Sequence, residues 1–436
     1  MSGADTAYLT PLTFVATTDL TGITKGRSLA TEDLRPDGTV GWVPANLGIG
    51  ASGHIVDEIP FGSTGDLRLR PDPAASTLLT GVPGRPDTTV VMADIVHTDG
   101  RPWACCPRTF LKDAVRDLEA EFGITVRAGF EHEFTDLDAE DTHHPFSWRN
   151  FRAAEPMGSQ LITAMKASGL EPENWLPEYG DHQFEITVRP ADPVAAADRA
   201  VLTRDLVRDV FRAAGHRTTF SPMVRPDATG NGVHVHFGLD AADGGNVFWD
   251  PERPGRLSET GNRFASGIVH HARALAAFFA PLTVSYQRLR PHHWSSAGVF
   301  LGLENREALV RLCPTVEIDG RDPEPQLHLE FRGGDIGANP YLLLGLLLRA
   351  GLQGLRGETP QAELKVGEID PEQHPDVPSL PTSLDEALEA LETDEVVRGW
   401  FAPELVTTYL RLKRVEIAEV GALDDAAQCA WYREVY

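Results

Sequence analysis

Glu131 and Glu133 stand two residues apart in the run Phe130-Glu131-His132-Glu133-Phe134. With a period of two, Ile124, Val126, Ala128 and Phe130 share one face. Thr125, Arg127, Gly129, Glu131 and Glu133 share the other, the alternation of a half-buried strand. The two carboxylates therefore lie on one face, about 7 Å apart along the strand. Both ionise at neutral pH and repel each other, so a positive partner is expected between or beside them.

Three later runs repeat the pattern. Gln183, Glu185, Thr187 and Arg189 alternate with Phe184, Ile186 and Val188. His234 and His236 alternate with Val233, Val235 and Phe237, and His328, Glu330 and Arg332 with Leu327, Leu329 and Phe331. An ordinary solvated face would carry more Lys, Ser and Thr. Glu, His and Arg are instead the side chains of metal, phosphate and carboxylate chemistry. Glu178, seven residues before Glu185, can approach the same point from the turn Tyr179-Gly180-Asp181-His182. The hard donors are thus Glu131, Glu133, Glu178, Glu185 and Glu330, with His234. This set suits Mg²⁺ or Mn²⁺ better than a closed zinc site. It is large enough for two ions, the usual clamp on ATP phosphates.

These donors need a sizeable scaffold. At 436 residues, 42% hydrophobic and 24% charged, the chain has the makeup of a globular protein of two domains. Its formal net charge of −25 argues against a nucleic-acid partner, which requires a basic footprint. The apolar run Tyr341 to Leu348 stops at Arg349, too short to span a bilayer. The four cysteines, Cys105, Cys106, Cys313 and Cys429, form no CxxC pair. With no signal segment apparent, a reducing, cytoplasmic setting is expected.

Residues up to about 105 read as short strands and turns, with irregular loop between Leu47 and Gly65 and an exposed connection marked by Pro71, Pro73, Pro83 and Pro86. Pro107 opens a helix to about Phe122. Further helices are expected near 157–168, 193–214 and 260–279, and from Ser383 onward, with a loop over 240–258. Asn339 and Pro340 form an N-cap and first-turn pair for an apolar helix to Leu355. His132 and His182 read as polar neighbours of the site; Phe237 and Phe331 read as core.

In order and spacing over residues 130–341, these motifs resemble the glutamine synthetase family. The likeness is carried by Glu131-His132-Glu133, Glu178 with Gln183 and Glu185, and Gly230-Asn231-Gly232-Val233-His234-Val235-His236. It continues through Ser285-Tyr286-Gln287-Arg288-Leu289, Asn305-Arg306 with Arg311, and Glu330-Phe331-Arg332 before Asn339-Pro340-Tyr341. Asp19-Leu20-Thr21-Gly22 with Lys25-Gly26-Arg27 resembles the family's N-terminal domain. The resemblance implies an α+β fold: a β-grasp domain over 1–105, then a catalytic domain over 106–436 built on a curved antiparallel sheet with surrounding helices. It also implies a homo-oligomer of two stacked rings.

For the site, the resemblance implies ATP and two or more Mg²⁺ or Mn²⁺ ions. Glu133, Glu178 and Glu185 would hold the ion near glutamate; Glu131, His234 and Glu330 the ion near the ATP phosphates. Arg288, Arg332 and the Gly230 carbonyl would bind glutamate, Arg306 and Arg311 the transferring phosphate, and Glu173 and His236 the nucleotide. The implied reaction phosphorylates a side-chain carboxylate and lets an amine displace the phosphate.

The chain departs from the family at several positions. Trp294 stands where a glutamate helps deprotonate ammonium, preceded by His292 and His293, either of which could act as a base. Trp294 can pack on an organic amine or stack on its cation. The aspartate that helps bind ammonium is missing near Ser52. Thr229 replaces an asparagine beside glutamate, and His328 an arginine near the ATP phosphates. The expectation is a γ-glutamyl-amide ligase using an amine larger than ammonia. An ammonia-using glutamine synthetase and a non-catalytic assembly of the same fold are the alternatives.

Overall fold

A computed structural model describes residues 9–140, 144–291, 295–296, 298–369 and 373–436. The expectations placed on His292, His293 and Trp294 lie outside the described residues. Near the N-terminus run β1 (Leu12–Thr18), β2 (Thr24–Ala30), β3 (Val40–Trp42), β4 (Leu67–Leu79) and β5 (Thr88–His97), in the spatial order β2-β1-β5-β4-β3. β1 lies parallel to β5, and the other pairs are antiparallel. The β1–β2 turn closes on Asp19, whose Oδ1 accepts from Thr21 N, Thr21 Oγ1 and Ile23 N at 3.0, 2.7 and 2.9 Å.

Pro71 and Pro73, which composition alone assigns to an exposed connection, lie inside β4. The ladder with β5 shifts register between Pro71 and Ser76. An irregularity of this kind tolerates residues that cannot donate a ladder hydrogen bond.

The second sheet comprises β6 (Ile124–Asp136), β7 (Pro172–Pro177), β8 (Gln183–Val188), β9 (Thr218–Thr219), β10 (Val233–Ala241), β11 (Gly298–Leu303), β12 (Ala308–Leu312), β13 (Leu329–Phe331) and β14 (Leu364–Val366). The order is β14-β11-β12-β13-β10-β6-β8-β7, with β9 paired to β6. From β12 to β7 every pair is antiparallel. β11 instead runs parallel to both β12 and β14, so the sheet is mixed at this edge rather than antiparallel throughout. The link from Leu303 to Ala308 must carry the chain back beside the start of β11, since Ala308 pairs with Gly298.

The apolar face of β6 explains the fold locally. Ile124, Val126, Ala128, Phe130 and Phe134 are each at most 5% exposed, and burying a large side chain of this kind contributes about 1.5–3 kcal/mol. Helices Pro107–Phe122 and Pro193–Ala213 pack on β6, and helix Glu259–Phe279 on β11 and β12. Helix Pro340–Leu355 packs against all three. Its N-cap is Asn339, whose Oδ1 accepts from Tyr341 N and Leu342 N at 3.0 and 3.1 Å. The same side chain donates to the carbonyls of Thr18 and Asp19 at 3.2 and 2.9 Å, tying the β1–β2 turn to the body.

A buried charge cluster ties the first sheet to helices Pro107–Phe122 and Pro193–Ala213. Arg108 donates to both carboxylate oxygens of Asp198 at 3.0 and 2.9 Å, to Asp94 of β5 at 3.0 Å and to Asp72 of β4 at 2.9 Å. Among the described residues no helix is long and apolar enough to cross a membrane. The four cysteines are free and buried.

Candidate active site

Strand register gathers the polar residues. His234 lies opposite Glu131 across β10 and β6, and Glu133 opposite Glu185 across β6 and β8. Glu330 on β13 lies opposite both His236 on β10 and Arg311 on β12. Because side chains repeat every second residue, these pairs fall on the face away from the helices. Five separated stretches of sequence thus supply one polar surface.

Contacts on that surface are close. His234 Nδ1 lies 2.6 Å from Glu131 Oε1, and His236 Nε2 lies 3.2 Å from Glu131 Oε2. Arg311 Nη1 donates to Glu330 Oε2 at 2.8 Å, and Arg332 Nη1 pairs with the other Glu330 oxygen. The backbone N–H of Gly232 donates to Glu133 Oε2 at 2.5 Å. Burial acts to raise Glu131, but His234 and His236 hold it well below the usual carboxylate range. Burial also acts against ionised Glu330, yet Arg332, His236 and His234 bring it down to about 2.

The opposite trend holds toward β8. Burial, together with the carboxylates of Glu131, Glu133 and Glu178, pushes Glu185 up to about 10. Burial and the carboxylates of Glu133 and Glu131 push Glu178 up to about 7. Without a cation, these converging carboxylates cannot all stay ionised. Oxygen-rich, like-charged and partly desolvated, this donor set fits hard divalent cations. The residues also group as ligand sets: Glu131, Glu133 and His234, and Glu131, His236 and Glu330, each offer donor atoms within 4.8 Å of one another.

Glu131, Glu133, Glu178, Glu185, His234 and Glu330 all line one cavity of about 770 Å³. Gly230, Arg288, Arg306, Arg311 and Arg332 line it as well. Arg288 is 3% exposed, and its buried Nη1 has no hydrogen-bond partner among the described residues while Nη2 donates to the Arg332 carbonyl at 3.2 Å. An unpartnered buried guanidinium nitrogen facing a cavity is suited to receiving a carboxylate. Glycines make room for it: a Cβ on Gly230 would lie 2.7 Å from Arg288 Cγ, and one on Gly232 2.5 Å from Arg288 Nη2. The Gly230 carbonyl accepts from Gln183 Nε2 at 2.9 Å.

Glu173, His236 and His328 line a second cavity of about 460 Å³, which shares Glu131 and His236 with the first. The Glu131–His236 pair is therefore the wall between them. Every predicted site residue that falls among the described residues borders one cavity or the other.

Sequence reasoning missed three residues of the cavity lining. Phe146 and Tyr179, at the rim of the larger cavity, form an edge-to-face pair with centroids 4.8 Å apart. Asp227 joins them in the lining. Cys313, which lines neither cavity, also escaped notice; its Sγ lies 3.8 Å from Glu330 Oε2. Its signal was present, since it sits two residues beyond Arg311 and so on the same strand face. Phe146 and Asp227 sit in loops, where no periodicity marks them.

Comparison with known proteins gives a consistent answer. The glutamine synthetase catalytic-domain family matches residues 104–432, and the glutamine synthetase N-terminal-domain family matches residues 2–103. A gamma-glutamylpolyamine synthetase of Streptomyces coelicolor is 33% identical over 441 residues, covering 97% of this chain and 93% of that protein. A glutamate–isopropylamine ligase of a Pseudomonas species is 28% identical over 458 residues, covering 96% and 94%. A solved structure described as a novel glutamine synthase homolog superposes with a TM-score of 0.91 at 41% identity, over 98% of this chain and 99% of that one. With both of its sheets matched and its charged strand faces converging on shared cavities, this chain belongs to the glutamine synthetase family and is an ATP-dependent carbon–nitrogen ligase.

Proposed function

We propose that the protein joins the γ-carboxylate of glutamate to an organic amine, using ATP and passing through γ-glutamyl phosphate. The observation that carries the amine reading is the rim of the larger cavity, where the Phe146–Tyr179 pair stands beside Asp227 and Glu178. Aromatic faces next to carboxylates suit an alkylammonium ion, which offers both a charge and an apolar body. Ammonia has no use for such a wall. The polyamine and isopropylamine ligases among the relatives support the same reading.

In this scheme Arg288 and Arg332 orient the glutamate carboxylate, and the Gly230 carbonyl accepts from its amino group. An oxygen of the γ-carboxylate attacks the γ-phosphorus of ATP, and ADP leaves. Arg306 and Arg311 face the phosphate in transit, Arg311 from a buried position where its charge acts at little reorganisation cost and Arg306 from an exposed one. The amine nitrogen then attacks the acyl carbon, phosphate leaves, and the nitrogen gives up a proton, for which His292 or His293 is the proposed base. Glu173, His236 and His328 border the nucleotide. Glu133, Glu178 and Glu185 would hold one Mg²⁺ or Mn²⁺ ion, and Glu131, His234 and Glu330 another. Such ions offset phosphate charge and polarise the transferring group.

We further infer a β-grasp N-terminal domain over 1–105 and a catalytic domain over 106–436. The central parallel β1–β5 pair supports the β-grasp reading. A homo-oligomer of two stacked rings is supported by the larger cavity, whose lining starts at Glu131 and takes nothing from the N-terminal sheet among the described residues. The exposed loop around Ser52 is then free to cover a neighbour's site. The free cysteines support a cytoplasmic location.

The test is phosphate release with glutamate, ATP and Mg²⁺, comparing ammonium with short alkylamines, ethanolamine, polyamines and anilines. If ammonium gives the highest kcat/KM, the protein is a glutamine synthetase and the amine reading is wrong. No turnover with any acid and amine would support a non-catalytic assembly instead.

A further inference from the structure

Three donors from three strands meet at the nucleotide-side wall: His236 of β10, Cys313 directly after β12 and His328 directly before β13. His236 Nδ1 and His328 Nε2 lie 3.1 Å apart. One donor atom from each of Cys313, His236 and His328 falls within 4.8 Å of the other two. A tetrahedral ion bound by nitrogen at about 2.0–2.1 Å and by sulfur at about 2.3 Å keeps its donors roughly 3.3–3.8 Å apart. The cluster is near that spacing already.

Both rings are oriented for coordination. His328 Nδ1 lies 2.7 Å from the Gln326 carbonyl, which can only accept. Nδ1 therefore carries the proton, and Nε2 presents a lone pair. His236 Nε2 lies 3.2 Å from a Glu131 carboxylate oxygen, which sets it as a donor and leaves Nδ1 toward His328. In the metal-free protein a proton on His236 Nδ1 can bridge the 3.1 Å contact to His328 Nε2, and a cation held between the two nitrogens would take that proton's place. Anchoring the far nitrogen on a carbonyl or carboxylate is how metal-binding histidines are generally held. A solvent molecule can complete the set, and the cavity of about 460 Å³ that His236 and His328 line gives an ion its way in.

We propose that Cys313, His236 and His328 form a site for a thiophilic divalent cation of the Zn²⁺ class, separate from the oxygen-ligated Mg²⁺ or Mn²⁺ sites. The Cys313 thiol loses its proton as the ion binds. Thiolate and imidazole donors select zinc and its neighbours over magnesium, however abundant the latter. On the functional reading above, an ion here takes His236 away from the nucleotide cavity, so occupancy inhibits the ligase.

The protein, stripped of transition metals and with its hard sites filled by excess Mg²⁺, is titrated with Co²⁺ and then Zn²⁺. The expected result is a single equivalent of Co²⁺ with a near-ultraviolet thiolate charge-transfer band and intense tetrahedral visible bands, both erased by Zn²⁺. Cys313→Ser removes the charge-transfer band and weakens Zn²⁺ binding by about tenfold or more, while Mg²⁺-dependent phosphate release is retained. X-ray absorption of the wild-type zinc complex, independent of any variant, shows one sulfur scatterer at about 2.3 Å. A zinc shell without sulfur, or a charge-transfer band that survives in Cys313→Ser, overturns the proposal. Loss of inhibition alone, with the spectra as expected, would overturn the functional reading and leave the metal site standing.

Discussion

Glu131 and His234 face each other across β6 and β10, with His234 Nδ1 2.6 Å from Glu131 Oε1. In the metal-free protein the proposed ligands therefore satisfy one another, His234 with Glu131 and Arg311 with Glu330. On the β8 side the charge of Arg306 acts on Glu178 but does not offset burial and the neighbouring carboxylates, and Glu185 and Glu178 rise to about 10 and about 7. A divalent ion must displace protons from that side. Mg²⁺ binding should release protons at pH 7, and its affinity should climb as pH rises from 6 to 8. Calorimetry in buffers of different ionisation enthalpy measures this directly. Proton uptake, or affinity flat across that range, would refute it.

The same convergence strains the metal-free fold. Glu185 takes up a proton more readily in the folded chain than in the unfolded one, because its folded value is raised to about 10 from the ordinary 4.5. Its contribution is thus neutral below about pH 4.5 and becomes a growing penalty as pH climbs from there toward 10. Glu185→Gln keeps the shape and removes the ionisable group. In EDTA at pH 8, its Tm should exceed that of the wild type by a few degrees. Its Mg²⁺-dependent turnover should fall by about two orders of magnitude. A lower Tm in EDTA would show that Glu185 stabilises the fold by some other contact.

Arg288 offers a separable test of glutamate binding. Its side chain is buried, its Nη1 has no partner among the described residues, and it fills the space that Gly230 and Gly232 leave by lacking a Cβ. Arg288→Lys preserves the charge and loses the planar fork. The KM for glutamate should rise about tenfold or more, corresponding to one charge-assisted hydrogen bond of about 1.5–3 kcal/mol. The KM for ATP should barely move. Equal rises in both would mean that Arg288 shapes the whole cavity rather than one substrate's place in it.

How much of this was legible in the sequence depended on periodicity. β6, β8 and β10 announce themselves because apolar residues alternate with Glu and His, and the N-cap Asn339 and the start at Pro107 follow from local chemistry. Pairing partners are a different matter. That Glu133 meets Glu185 and His236 meets Glu330 is fixed by long-range register, which one strand cannot encode. Pro71 and Pro73 misled for the same reason, since only their partner strand reveals the shifted register that admits them. The parallel edge at β11 depends on how a short link turns back, and no composition rule reports that.

On the proposed reading, the rim pair selects the amine. Phe146 and Tyr179 are about half exposed, at 50% and 47%, although each is a large aromatic ring. Their edge-to-face contact at 4.8 Å presents apolar surface to the cavity next to Asp227. Folding gains little from rings left so open, whereas an alkylammonium substrate gains contact with both. Removing an aromatic partner of a cation costs about 0.5–2 kcal/mol, so Tyr179→Ala should lower kcat/KM for a good organic amine by roughly three- to thirtyfold. Ammonium cannot span the rim and should lose far less, which makes the ratio of the two kcat/KM values the informative quantity. Phe146→Ala should shift that ratio in the same direction. If both variants slow ammonium and alkylamines equally, the rim only supports the neighbouring Glu178 loop and amine choice is made elsewhere.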